Sequence, residues 1–286
     1  MKKEIRKASI LAMLIVSLFT GACSSDEDVA TETYVTSASH IELKGEDNMR
    51  DLGGYVGTNG KRVLYGKLFR SGELSALSAD DITKMESLKI STIVDLRTST
   101  ERTEKPDATI PGSTSLNLSL IDESSAASST GSSDYMSAIL SGQVDAEEMM
   151  LQAYVVDEVK IANWIKIFDL LEEGNSMLWH CTAGKDRAGM TSALVLASLG
   201  VDQQTIINDF MLSNAYLGAA NNTTISYINS KYGAGMGEKL LPLLGVEEIY
   251  IQAFFADINT KYGNMDKFLE VLKVDRKKMR TNFLEK

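Results

Sequence analysis

Cys181 and Arg187 are separated by five residues in the segment Met177-Leu-Trp-His-Cys-Thr-Ala-Gly-Lys-Asp-Arg-Ala-Gly189. The apolar run 177–180 reads as a short strand, and residues 187–199 read as a helix ended by Gly200. A loop of this length between a strand end and a helix start can curl until its backbone N–H groups face a common point. Together with the positive end of the helix they form a site for a tetrahedral oxyanion. Gly184 supplies the conformational freedom for close approach. A cysteine at the base of such a cradle is favoured as thiolate by the field that holds the anion. Arg187 offers a planar fork for two phosphoryl oxygens, a geometry that lysine lacks. The chemistry implied is nucleophilic phosphoryl transfer through a cysteinyl-phosphate, with Thr182, Ala183, Gly184, Lys185, Asp186, Arg187 and Ala188 forming the phosphate-binding loop.

The leaving oxygen needs a proton, which is worth about 10²–10⁴ in rate. Two carboxyls are candidates. Asp186 lies within the loop, and Asp122 begins a Ser-rich segment (residues 123–133) that reads as a mobile loop able to carry it. Lys185 is expected to add positive potential at the cradle rim, and His180 to hydrogen-bond the loop backbone or the cysteine environment. Arg50, Asp51, Arg70, Asp95 and Arg97 read as scaffold ion pairs around the loop. His40 is assigned no role.

The elements that must position these groups alternate between strand-like and helix-like patterns from Asn48 onward. That alternation argues for an α/β fold with a central, mostly parallel sheet flanked by helices and a helical C-terminal third. Residues 61–69 read as extended and 90–96 as a buried strand. Ser78 and Asp81 form a capping-box signature before a helix with Ile82, Met85 and Leu88 on one face. Further helices are expected over 146–156, 160–173, 203–217, 247–261 and 265–273. In the second of these, Ile161, Trp164, Ile165, Phe168 and Leu171 form the core stripe.

His180 to Gly189 resembles the phosphate-binding loop of cysteine-based protein tyrosine phosphatases. The form His-Cys-Thr-Ala-Gly-Lys-Asp-Arg is similar to the bacterial tyrosine/serine phosphatase branch, which also acts on phosphoinositides. Asn48-Met-Arg-Asp-Leu-Gly-Gly54, Leu68-Phe-Arg-Ser-Gly-Glu-Leu-Ser75, Val94-Asp-Leu-Arg97, Asn208-Asp-Phe-Met-Leu-Ser-Asn214 and Lys261-Tyr-Gly-Asn-Met-Asp-Lys-Phe-Leu269 agree with that branch. The resemblance implies a protein-tyrosine phosphatase-like catalytic domain over residues 41–286. It implies a phosphotyrosine-containing protein or peptide as substrate, with phosphoinositides or inositol phosphates as the alternative. It also links Lys185 with multiply phosphorylated lipids, and it makes Asp186 or Asp122 the acid. One departure is Ala188, where the branch commonly carries a Ser or Thr that supports the leaving thiolate; Thr191, one turn on, is the nearest substitute. A second departure is the lack of an acid loop like that of the larger eukaryotic enzymes.

Composition bounds the alternatives. Hydrophobic residues make up 44% of the 286 and charged residues 24%, which excludes a wholly disordered chain. A net charge of −10 argues against nucleic acid or anionic headgroups as nonspecific partners. Two cysteines and two histidines, without paired spacing, call for no metal site, and the chemistry needs no cofactor.

The N-terminus reads as an address. Lys2, Lys3, Arg6 and Lys7 precede an apolar run from Ala8 to Thr20, the pattern of a signal peptide over residues 1–22. Leu18-Phe-Thr-Gly-Ala-Cys23 resembles a bacterial lipoprotein box, departing from it at Thr20, and implies lipidation of Cys23. Cleavage there would lower the net charge of −10 by three and leave Cys181 as the one free thiol. Residues 23–40 are polar and acid-rich, the composition of a flexible tether. The expectation is a phosphatase lipid-anchored to a bacterial membrane, at the periplasmic or cell-surface side. A noncatalytic phosphate-binding surface lipoprotein is the reading from another class, with sulfurtransferase chemistry a weaker one.

Overall fold

Alternation within short β-rich runs builds a sheet with two covered faces. The computed structural model describes residues 40–123 and 132–286. Five strands are present among them: β1 (Arg50–Asp51), β2 (Leu68–Ser71), β3 (Thr92–Asp95), β4 (Thr114–Asn117) and β5 (Met177–His180). Their order is β1-β2-β5-β3-β4, with β1 antiparallel to β2 and every other pairing parallel. Phe69, Ile93 and Leu178 point to one face, where they pack with Met85 and Ile90. Leu68, Val94, Met177 and Trp179 point to the other and join the main core. The period of two thus sorts each strand between two layers.

Helix α1 (Ala79–Ser87) begins at a reciprocal capping box between Ser78 and Asp81, as expected. It is followed by α2 (Ser99–Glu104), α3 (Ser132–Leu140), α4 (Ala146–Ala153) and α5 (Glu158–Leu171). The C-terminal part is helical: α6 (Arg187–Ser198), α7 (Gln203–Tyr232), α8 (Leu241–Leu244), α9 (Glu248–Tyr262), α10 (Met265–Val271) and α11 (Arg276–Phe283). Apolar and small residues occupy α6 on all sides, and every residue from Ala188 to Leu196 is buried. Such a helix must run through the core, and α7, α10 and α11 pack around it. Among the described residues, no helix is long and apolar enough to cross a membrane.

Three expectations are corrected. The Ser-rich loop does not extend to residue 133, because α3 starts at Ser132; residues 124–131 lie outside the described part. The helix expected over 203–217 continues to Tyr232. Residues 276–283, which carried no helix expectation, form α11, started by Asp275 accepting from the amides of Lys277 and Lys278. The signal peptide, Cys23 and the tether up to residue 39 also lie outside the described residues.

Register levels the strand ends. Ser71 and Asp95 both sit opposite His180, so β2, β3 and β5 finish together. Loops leaving this edge therefore share one mouth, where α/β sheets place their ligands.

Candidate active site

Cys181 follows directly on β5, and Arg187 opens α6 six residues later. The loop between them is held from outside by its carbonyls. Glu73 N donates to Thr182 O (3.0 Å) and Asn48 Nδ2 to Ala183 O (2.9 Å). One Arg70 nitrogen donates to both Gly184 O (2.8 Å) and Lys185 O (3.0 Å). The amides of residues 182–187, in contrast, find no acceptor among the described residues. Carbonyls tied outward and amides left open make an anion cradle from main chain alone. Gly184 adopts φ +70°, and a Cβ there would lie 2.4 Å from the Ser71 carbonyl carbon and oxygen. Glycine is required on both counts.

Cys181 is 2% exposed, forming part of the core wall beneath this loop. It is nevertheless within electrostatic reach of two guanidinium groups. Burial disfavours the charge of Arg187, but its hydrogen bonds to Glu101 and the charges of Cys181, Glu101 and Asp186 raise its pKa further above the ordinary value. Arg70 is lowered to about 10, by burial and by Arg50, and so stays charged at neutral pH.

Arg187 is gripped by a residue that sequence reasoning missed. Its two terminal nitrogens donate to the two oxygens of Glu101, each at 2.7 Å. Glu101 also accepts from Thr182 Oγ1 (2.6 Å) and from the amide of Thr98 (2.8 Å). Burial acts to raise its pKa, but Arg187, Thr182 and Thr98 outweigh it and bring the group down to about 2. The Thr98-x-x-Glu101 spacing is a capping box, present at the start of α2. That spacing marks a helix start; it carries no sign that the carboxylate also reaches across to the loop.

The candidate acids stand apart. Asp186 turns its carboxylate to the Tyr154 hydroxyl (2.6 Å) and to Lys185 Nζ (2.9 Å). Asp122 is exposed in the segment after β4, next to the residues outside the described part. Lys185 is 3% exposed and paired with Asp186, so it is a buried partner rather than the rim charge expected. Thr191 is also committed elsewhere. Its hydroxyl donates to Arg187 O (2.9 Å) and accepts from Trp164 Nε1 (3.1 Å), which leaves Ala188 unreplaced.

The scaffold arginines form two networks. Arg50 and Arg70 converge on the buried carboxylate of Asp209, at 3.0 and 2.7 Å. Arg97 pairs with Asp95 and Asp107, and His180 Nε2 lies 3.3 Å from Asp107 without hydrogen-bond alignment. Asp95, Asp107 and His180 lie close enough together to suit a cation. Arg97 already brings a positive charge between the two carboxylates, so these residues do not fit one. Asp51 departs from expectation: it accepts from the amides of Gly53 (2.8 Å) and Gly66 (2.6 Å) and pairs with no cation among the described residues.

Glu46 completes the surroundings. One carboxylate oxygen accepts from the amides of Asn48 (2.8 Å) and Gly72 (2.6 Å), and the other is buried without a partner among the described residues. Burial pushes its pKa up to about 7.

A model of the family described as "Tyrosine phosphatase family" matches residues 41–285. The chain belongs to the tyrosine phosphatase family. A relative from Cupriavidus necator, whose name classes it as a tyrosine-protein phosphatase, is 31% identical over 253 residues, covering 83% of this chain and 85% of its own. The triple specificity protein phosphatase PtpB of Mycobacterium tuberculosis is 25% identical over 257 residues, covering 80% and 92%. Among solved structures, TpbA of P. aeruginosa in complex with pTyr is 14% identical and covers 77% of this chain and 88% of its own, at a TM-score of 0.34. As an enzyme of the tyrosine phosphatase family, the chain places its Cys-to-Arg loop at the sheet edge where β2, β3 and β5 end.

Proposed function

We propose that this chain hydrolyses phosphotyrosine in proteins or peptides, with Cys181 as nucleophile, Arg187 and the loop amides as the phosphate site, and Asp186 as general acid. The observation that carries the reading is the loop itself: open amides on residues 182–187 above one cysteine, with its carbonyls bonded away.

In the first step the Cys181 sulfur forms a bond to phosphorus as the ester oxygen departs. That oxygen takes its proton from Asp186, which enters the step as the neutral acid and leaves it as the carboxylate. In the second step water attacks phosphorus, the S–P bond breaks, and the water's proton goes to Asp186. Open amides and Arg187 hold the negative oxygens throughout. Asp186 is favoured over Asp122 because its carboxylate is fixed beside the cradle by Tyr154 and Lys185. Substitution of Cys181→Ser should abolish aryl phosphate hydrolysis while phosphotyrosine peptide binding persists. Undiminished turnover in that variant would end the reading.

Substrate breadth is a separate question. The words "triple specificity" in the name of PtpB support a range wider than phosphotyrosine. The burial of Lys185 supports the narrower range, since its amine stands 2.9 Å from Asp186 and not at the rim where a second phosphate would meet it. Rates on phosphopeptides and phosphoinositides, with and without Lys185→Ala, separate the two. A noncatalytic, phosphate-binding lipoprotein draws support from Ala188 alone; a stoichiometric burst with no further product would favour it.

The remaining proposal concerns place. The basic and apolar pattern of residues 1–22, with Cys23 after Gly21-Ala22, supports a lipid-anchored, extracytoplasmic enzyme on a tether of residues 23–40. Palmitate labelling that survives Cys23→Ala would overturn it.

A further inference from the structure

Asp186 is the N-cap residue of α6, and its side chain makes no capping hydrogen bond. Its backbone is αR (φ −85°, ψ −72°), unlike the extended form of a bonding cap, and its carboxylate makes two other contacts. Oδ1 accepts from the Tyr154 hydroxyl at 2.6 Å, and Oδ2 lies 2.9 Å from Lys185 Nζ.

Tyr154 is the C-cap residue of α4 and is fully buried. Its ring stacks on Tyr250 of α9 (centroids 5.7 Å apart, planes at 28°) and meets Phe210 of α7 edge-on (6.0 Å, 85°). Three helices therefore set where the phenol oxygen stands. Burial first, then the Asp186 charge, raises its pKa well above the ordinary value, with Cys181 adding to the effect. The hydroxyl accordingly remains a donor across the working pH range, and it lies within electrostatic reach of the nucleophile.

We infer that Tyr154 is a positioning residue for leaving-group protonation: its hydroxyl holds the Asp186 carboxyl in place beside the cradle. The inference rests on the reading of Asp186 as general acid. Tyr154 touches neither phosphate nor leaving group; it acts through Asp186. Through its ring it also makes the acid's position depend on the packing of α4 against α7 and α9.

Tyr154→Phe removes one oxygen and keeps the buried ring, so the packing with Tyr250 and Phe210 is retained. The experiment compares wild type, Tyr154→Phe, Asp186→Asn and the double variant on aryl phosphates of graded leaving-group basicity. For Tyr154→Phe, kcat/KM, which covers the steps up to leaving-group departure, should fall about tenfold on phenyl phosphate, against about twofold or less on 4-nitrophenyl phosphate, part of the 10²–10⁴ that a general acid supplies. Inhibition by inorganic phosphate should change little, and circular dichroism should match wild type. In the double variant the Tyr154 substitution should add nothing to the loss from Asp186→Asn. Equal losses on good and poor leaving groups, or additive losses in the double variant, would overturn the role of Tyr154. If Asp186→Asn itself shows no dependence on leaving group, the acid assignment fails first and the inference falls with it.

Discussion

Glu101 holds both terminal nitrogens of Arg187, at 2.7 Å each, across 86 residues of sequence. A two-point contact fixes the plane of the guanidinium as well as its position. The same carboxylate accepts from Thr182 on the loop and from the Thr98 amide at the start of α2. One side chain therefore ties α2, the cradle and its arginine together.

Glu101→Ala should free the guanidinium to rotate and lower kcat/KM on the order of 100-fold, the scale of an ångström-sized misplacement of a positioned group. Arg187→Lys should cost more, since lysine can make neither the paired contact nor the fork toward phosphate. The pH dependence has a definite sign. With Glu101 at about 2, against an ordinary 4.5, its contribution to stability is present above about pH 4.5 and is lost as pH falls toward 2. Acid unfolding followed by circular dichroism should begin at higher pH in Glu101→Gln than in wild type.

Glu46 should act in the opposite direction. Its pKa in the folded protein is about 7, above the ordinary 4.5, so the folded state binds this proton more tightly. Its contribution is full below about pH 4.5 and is lost as pH rises through 7, by up to about 3 kcal/mol. Glu46→Gln should flatten that part of the profile, because a neutral amide can still accept from the amides of Asn48 and Gly72. Urea unfolding at pH 5, 6, 7 and 8 is the measurement; parallel profiles for variant and wild type would refute the assignment.

Gly184→Ala tests the cradle backbone. The positive φ costs a non-glycine residue about 1–2 kcal/mol. The new methyl would also meet the Ser71 carbonyl at 2.4 Å, and backbone cannot swing aside as a side chain can. The loop must shift, so aryl phosphate turnover should fall far more than thermal stability. A variant with lowered Tm and unchanged kcat/KM would show that the loop tolerates the shift.

What was legible in the sequence was local. Cys181 to Arg187 could be read because strand, loop and helix are adjacent in the chain, and the physics of a helix N-terminus needs no distant partner. The Ser78–Asp81 cap was legible for the same reason. Glu101, Tyr154 and Asp209 were not read as partners of the site, since each meets it only through the fold, across 86, 32 and more than 130 residues. The rim position expected for Lys185 gives way to a buried one beside Asp186, because a lysine next to an aspartate carries no local sign of burial. The far half of α7 escaped detection because Ile228 is its one buried residue beyond Ser213, too little to show a period. The start of α3 was hidden by the Ser-rich composition just before it.

Asp209 offers the strongest test of the scaffold. Two fully buried arginines, Arg50 and Arg70, share this one carboxylate, to which Tyr55 also donates at 3.0 Å. Its pKa is held below the ordinary value because the two guanidinium groups outweigh the cost of burial. Arg70 is in turn the donor that pins the carbonyls of Gly184 and Lys185. Asp209→Asn keeps the shape but leaves two buried cations facing a neutral amide, and breaking a buried pair in this way costs about 3–5 kcal/mol. The variant should lose that much in urea unfolding. Turnover should also fall under conditions where it remains folded, because an arginine without its counter-charge no longer holds the loop's carbonyls outward. Loss of stability with full activity in the folded fraction would mean that the cradle keeps its shape without Arg70.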